Sequence, residues 1–168
     1  MGDLKLTPTA QGTIEIEAPP ELVYGLVSNV PAMPEWAAET ERCVWIGGAD
    51  RAEEGARFRG RNAHRRRKWA TTCTVTAAEA GERFSFKVAV GGFHTATWWY
   101  DIEPTDTGCR VTEGTQRRVP WLLALVVNRG LLGIPDRDAH NQRNIERTLE
   151  QLKAHAEALA TPSPEANG

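Results

Sequence analysis

The spacing that most constrains this chain lies near its end. Ile145, Leu149, Leu152, Ala156 and Leu159 recur at alternating steps of four and three residues, which sets them on one narrow stripe of an α-helix. Glu146, Arg147, Glu150, Gln151, Lys153 and His155 fall between them as a water-facing surface. Pro135 suits a first helical turn, where no N–H donor is required, and Asp136 and Asp138 favour its positive end. The pattern predicts a helix over residues 136–160. A one-sided helix needs a surface to lie on, and the preceding residues read as a sheet.

In residues 13–17, Ile14 and Ile16 alternate with Glu15 and Glu17, as in a half-buried strand. Pro19 and Pro20 end it, and Leu22, Val23, Leu26 and Val27 then take helical spacing up to Asn29. Pro31 and Pro34 leave room for one short helical turn, carrying Met33 and Trp36. Six alternating stretches follow, near residues 43–46, 57–62, 69–76, 84–88, 94–103 and 109–119, separated by Gly-rich or polar turns. Short turns between successive strands imply an antiparallel meander. Residues 1–11 read as a loose arm, residues 12–160 as one domain, and residues 161–168 as a disordered tail.

A chain of 168 residues is long enough to bury a core and enclose a cavity. A net charge of -2 argues against a nucleic-acid-binding protein. The N-terminus lacks the apolar core of a signal peptide, and no run of about 18 apolar residues occurs. Cys43, Cys73 and Cys109 are odd in number and far apart, which reads as buried thiols in a reduced, cytoplasmic protein. The most apolar run, residues 121–127, is a lid, a dimer surface or core; the oligomeric state stays open.

The opening IEIEAPPELVYGLVSNVPAMPEW, the pair RRRKWATTCTVTAAEAGERFSFKV, the stretch ATWWYDIEPTDTGCRVTEGTQRR and the closing NIERTLEQLKAHAE resemble the SRPBCC or START-like superfamily. Within it the chain is most similar to the bacterial polyketide cyclase/dehydrase and lipid transport group. The resemblance implies an α+β helix-grip fold: a seven-stranded antiparallel sheet curved around the C-terminal helix, with two short helices after the first strand. It also implies an apolar cavity between sheet and helix.

On that fold Trp36, Phe58, Trp69, Phe86, Trp98 and Tyr100 either line a pocket for a lipid, a polyketide or another aromatic, or fill a solid core. Asn62, Thr71, Glu113, Thr115, Asn141 and Ile145 join them as candidate ligand contacts. Glu113 and Arg117 share a strand face, so they are expected to orient a ligand or to neutralise each other as a structural pair. Asn141 either points inward or lies on the helix surface, while His140 is expected at the side or in solvent. The four histidines show no metal spacing, so neither metal nor cofactor is expected, and no nucleophile or phosphate-loop motif occurs. If the pocket is an enzyme's, Glu113, Arg117 and Tyr100 are the acid/base candidates, in a polyketide cyclase/aromatase or dehydratase type of reaction. The basic stretch 57–68, with Arg57, Arg59, Arg61, Arg65, Arg66, Arg67 and Lys68, is a solvated hairpin or a contact for an anionic membrane or an acidic partner. The first two turns of the last helix carry almost no apolar residue and are expected to border the pocket mouth.

Overall fold

The computed structural model describes residues 7–118 and 136–161. Seven strands form one antiparallel sheet in the order β1-β7-β6-β5-β4-β3-β2. They are β1 (Ala10–Ile16), β2 (Thr40–Ile46), β3 (Arg57–His64), β4 (Arg67–Glu79), β5 (Arg83–Val90), β6 (Phe93–Pro104) and β7 (Cys109–Arg117). Helix α1 (Pro20–Ser28) and a short 3-10 helix (Val30–Glu35) follow β1, and helix α2 (Arg137–Ala160) closes the chain. This is the helix-grip α+β arrangement, with α2 against the sheet.

The turns explain the meander. Gly91 and Gly92, at φ 58° and 85°, connect β5 to β6 in the left-handed backbone that a tight two-residue hairpin requires. Arg65 holds φ 55° between His64 and Arg67, which pair across the β3–β4 hairpin; here a non-glycine residue accepts the strained region. Irregular register at Val75/Ala77 and at Val88/Ala89 marks bulges, which bend the strands.

Strand β1 begins earlier than the Ile14–Ile16 alternation suggests. Ala10 and Gln11 pair with Thr115 and Gly114, so part of the expected arm belongs to the sheet. Helix α2 starts as expected, with the Asp136 carboxylate accepting from the Ala139 N–H at 3.0 Å. Ile145, Leu149, Leu152 and Ala156 are buried, but Leu159 is 59% exposed, against its place on the expected stripe. The physical reason is the length of β1: Glu157 already reaches the Glu17 N–H, one residue past the strand's end, leaving the last turn without a strand beneath it. His140 is buried, where a lateral or solvent position was expected, and Asn141 is 3% exposed rather than on the surface. Among the described residues no helix is long and apolar enough to cross a membrane. The 121–127 run lies outside the described residues.

The backbone of α2 runs closest to β1. Gly12 permits this approach: a Cβ there would stand 2.9 Å from Ile145 Cγ2 and 3.1 Å from Leu149 Cδ1. Gly108 is tighter, since its Cβ would meet the Ile16 carbonyl oxygen at 2.1 Å. Gly108→Ala is therefore expected to lower stability by about 1–3 kcal/mol, because backbone must move. Gly12→Ala is expected to cost less, because side chains rather than backbone stand in the way. Denaturant midpoints of the two variants check that order, and an equal or greater loss at Gly12 contradicts it.

Candidate functional site

Helix α2 lies over β1 rather than over β3 to β6, and a cavity of about 540 Å³ lies between those strands and the inward side of the helix. Strand alternation decides which side chains face it. Phe58, Gly60 and Asn62 come from β3, Trp69, Thr71 and Cys73 from β4, and Phe86 and Val88 from β5. Ala96, Trp98 and Tyr100 come from β6, Glu113 and Arg117 from β7, and Asn141, Asn144, Ile145 and Thr148 from α2. The wall is mainly apolar, with Phe86 packed edge-on against Phe58 at 5.2 Å between ring centroids.

Two of the expected contacts sit elsewhere. Trp36 is 1% exposed and packs its ring against Tyr100 at 5.9 Å in a T-shaped contact, behind the cavity wall. Thr115 is fully buried, its hydroxyl donating to the Thr97 carbonyl at 3.1 Å, and does not line the cavity. Conversely, Phe93 borders the cavity while 76% exposed. Its place beside Gly91-Gly92 reads as part of a turn, so strand periodicity gave no signal for it.

The Glu113–Arg117 pairing does not form. Residues four apart in a strand stand about 13 Å from each other, beyond side-chain contact for this pair. Glu113 instead accepts from the Tyr100 hydroxyl at 2.8 Å, and Arg117 pairs with Asp138 at 3.0 Å. Glu113 is 3% exposed, and among the described residues its Oε2 has no hydrogen-bond partner. Burial pushes its carboxyl up to about 8, with the Tyr100 hydrogen bond opposing only part of that rise. Burial, and then the Glu113 charge, also holds the Tyr100 phenol well above its ordinary value. The neutral carboxyl is thus the favoured form at neutral pH, with hydrogen-bonding capacity to spare. Asn141, at the other wall, has an unpartnered buried Oδ1. Burial raises the cavity-lining thiols Cys43 and Cys73 to about 11 and about 12, so both are protonated and behave as apolar surface.

A second cluster went unseen in the sequence. Glu39, in the loop before β2, meets His140 from the first turn of α2 and His64 from the end of β3. His140 Nε2 hydrogen-bonds Glu39 Oε1, and Arg137 Nη2 donates to Glu39 Oε2 at 2.8 Å. The Arg137 guanidinium also lies over the Trp69 ring, 5.4 Å from its centroid. Burial, followed by the neighbouring His140, lowers the His64 imidazole below its ordinary value. The basic hairpin presents Arg57, Arg59, Arg61, Arg65 and Arg66 to solvent, and Lys68 pairs with Glu41 at 2.8 Å.

Known structures share this architecture. A protein of Thermus thermophilus superposes with a TM-score of 0.65 at 21% identity, over 90% of this chain and 99% of its own. A Chromobacterium violaceum protein gives 0.62 at 18% identity, over 88% and 96%. The di-domain ARO/CYC StfQ from the steffimycin biosynthetic pathway gives 0.69 at 14% identity, over 89% of this chain and 50% of its own. At such identities the likeness shows the fold. No curated protein matches the chain in sequence. The profile of one family, described as polyketide cyclase / dehydrase and lipid transport, matches residues 7–157. With nearly the whole described fold inside that match, the chain belongs to the polyketide cyclase / dehydrase and lipid transport family.

Proposed function

We propose that this protein binds or carries a hydrophobic small molecule, a lipid, polyketide or other aromatic, in the cavity between the sheet and α2. The observation that carries this reading is the cavity itself: about 540 Å³ walled by Phe58, Trp69, Phe86, Trp98 and Tyr100, its accessible surface mainly apolar although polar side chains such as Asn62, Thr71 and Arg117 also line it. That volume falls in the range of small-molecule sites, and rigid rings bind flat or chain-like apolar bodies at low entropic cost. Glu113 and Asn141 supply the polar complement. Each keeps a buried oxygen without a partner among the described residues, which costs free energy unless a ligand or water satisfies it. The ligand of this reading therefore has an apolar body and a hydroxyl or carbonyl.

A second reading, a cyclase or dehydratase using the same pocket, is favoured by the Glu113 carboxyl. A buried acid pushed up to about 8 is poised to donate a proton to a substrate oxygen near neutral pH. Tyr100, donating to Glu113 Oε1, would orient it. Unchanged turnover in Glu113→Gln removes this assignment.

The binding reading is checked by native mass spectrometry of the purified chain with extraction of the bound compound. Ala96→Phe, which fills the cavity from β6, is expected to weaken binding of that compound by more than about tenfold, or ~1.4 kcal/mol. Lys87→Ala on the opposite sheet face is expected to leave it unchanged. Recovery of no compound, or equal affinity in Ala96→Phe, contradicts the reading.

Glu113 also sets a pH dependence of stability. Its folded value, about 8, lies above its ordinary 4.5, so the folded state holds a proton that the unfolded state has released. The contribution is full below pH 4.5 and is lost as the pH rises toward 8, at a slope of about 1.4 kcal/mol per pH unit for one proton. Denaturant midpoints across that window should show the decline in the wild type and its absence in Glu113→Gln. A constant difference between the two proteins contradicts a protonated Glu113.

A further inference from the structure

We infer that Glu39, His64 and His140 form a binding site for a divalent transition-metal cation at the rim of the cavity. The three residues come from a loop, a strand end and a helix start, and only the fold brings them together. One ligand atom from each lies within 4.8 Å of the others. All three side chains are largely shielded, with exposures of 14%, 25% and 11% for Glu39, His64 and His140.

The geometry is that of converging donors. The imidazoles stand edge to face, with centroids 4.5 Å apart and planes at 80°. His64 Nδ1 is 3.9 Å from Glu39 Oε1, too far for a hydrogen bond, and no hydrogen bond engages this ring among the described residues. Two ligand atoms on one tetrahedral zinc stand about 3.4 Å apart, given metal–ligand bonds of about 2.0–2.1 Å. The His64–Glu39 separation thus exceeds a ligand separation by about half an ångström, and the hydrogen-bonded Glu39 and His140 atoms must part to admit the metal. Arg137 holds Glu39 Oε2, leaving Oε1 facing the two rings, as outer hydrogen bonds commonly orient ligating carboxylates.

The surrounding charge selects the class of cation. Arg137 and Arg65 both act on His64 and repel any cation. A hard ion held by Coulomb attraction alone, such as Mg²⁺, gains little beside them. A borderline ion of the zinc class gains from nitrogen donation by two neutral imidazoles, which is independent of that repulsion. Three protein ligands leave at least one position for another donor. Because Glu39 and Arg137 also line the cavity, that position borders the ligand space.

Co²⁺ alone, titrated at neutral pH into the full chain previously dialysed against a chelator, tests the site. The expected result is one equivalent bound, with the visible absorption of cobalt in nitrogen and oxygen coordination, undisturbed by excess Mg²⁺. His64→Ala and His140→Ala are each expected to weaken binding by more than about 10-fold, and His94→Ala to leave it unchanged. Among the described residues His64 makes no hydrogen bond, so retained circular dichroism and a cooperative melt in His64→Ala separate lost ligation from lost fold. An absent cobalt band, displacement by Mg²⁺, or a band that survives His64→Ala overturns the proposal.

Discussion

The docking of α2 onto β1 is the contact on which the rest of this structure depends. β1 is an edge strand, and an unpaired edge leaves backbone groups unsatisfied. Helix α2 covers that edge with its own side chains. Gln142 accepts from the Gln11 N–H at 3.1 Å and donates to the Gln11 carbonyl at 2.9 Å. Lys153 donates to the Glu15 carbonyl at 2.8 Å, and Glu157 accepts from the Glu17 N–H at 2.8 Å. Beneath these bonds Ile145 and Leu149 press onto Gly12, where no side chain intervenes. Polar and apolar contacts thus fix the helix at one side of the sheet. The cavity is the geometric consequence, because a helix held over β1 cannot also fill the concavity of β3 to β6.

Two carboxylates border that cavity, and their surroundings treat them oppositely. Glu39 is hydrogen-bonded by the Arg137 guanidinium and the His140 imidazole. Glu113 meets a phenol and apolar wall, so desolvation outweighs its one hydrogen bond. One cavity therefore has a carboxyl group tied into polar partners at its rim and a neutral carboxyl in its most buried wall. This separation comes from position alone, since both are the same residue type.

Much of the fold was legible because it is written in local periodicity. The Ile145 to Ala156 stripe and the strand alternations need no knowledge of distant residues; burial follows the stripe, whereas on β5 and β6 Ser85, Thr97 and Trp99, expected on the opposite face from the cavity residues, are buried as well. Failures occur where a distant partner decides. Leu159 continues the stripe, but the end of β1 determines whether anything lies below it. Ala10 and Gln11 carry no strand pattern and become strand because β7 extends far enough to pair with them. Glu113 and Arg117 share a face as expected, yet strand rise separates them, and each takes a partner from another segment.

The histidines are scattered in sequence because separate elements deliver them. A metal-binding spacing in sequence is visible only when one local element supplies several ligands. Here each residue depends on a separate structural choice. His64 is delivered by the two-residue turn at Arg65-Arg66, where Arg65 accepts a left-handed backbone. His140 is delivered by the Asp136 cap, which starts α2 so that residues 140 and 141 both turn inward. Glu39 is held through its backbone, since its carbonyl accepts from the Ala63 N–H at 3.0 Å. None of these devices is encoded by the histidines themselves. The rim cluster is thus a product of the strained turn, the helix cap and the loop bond acting together, and a shift in any one of them disperses it.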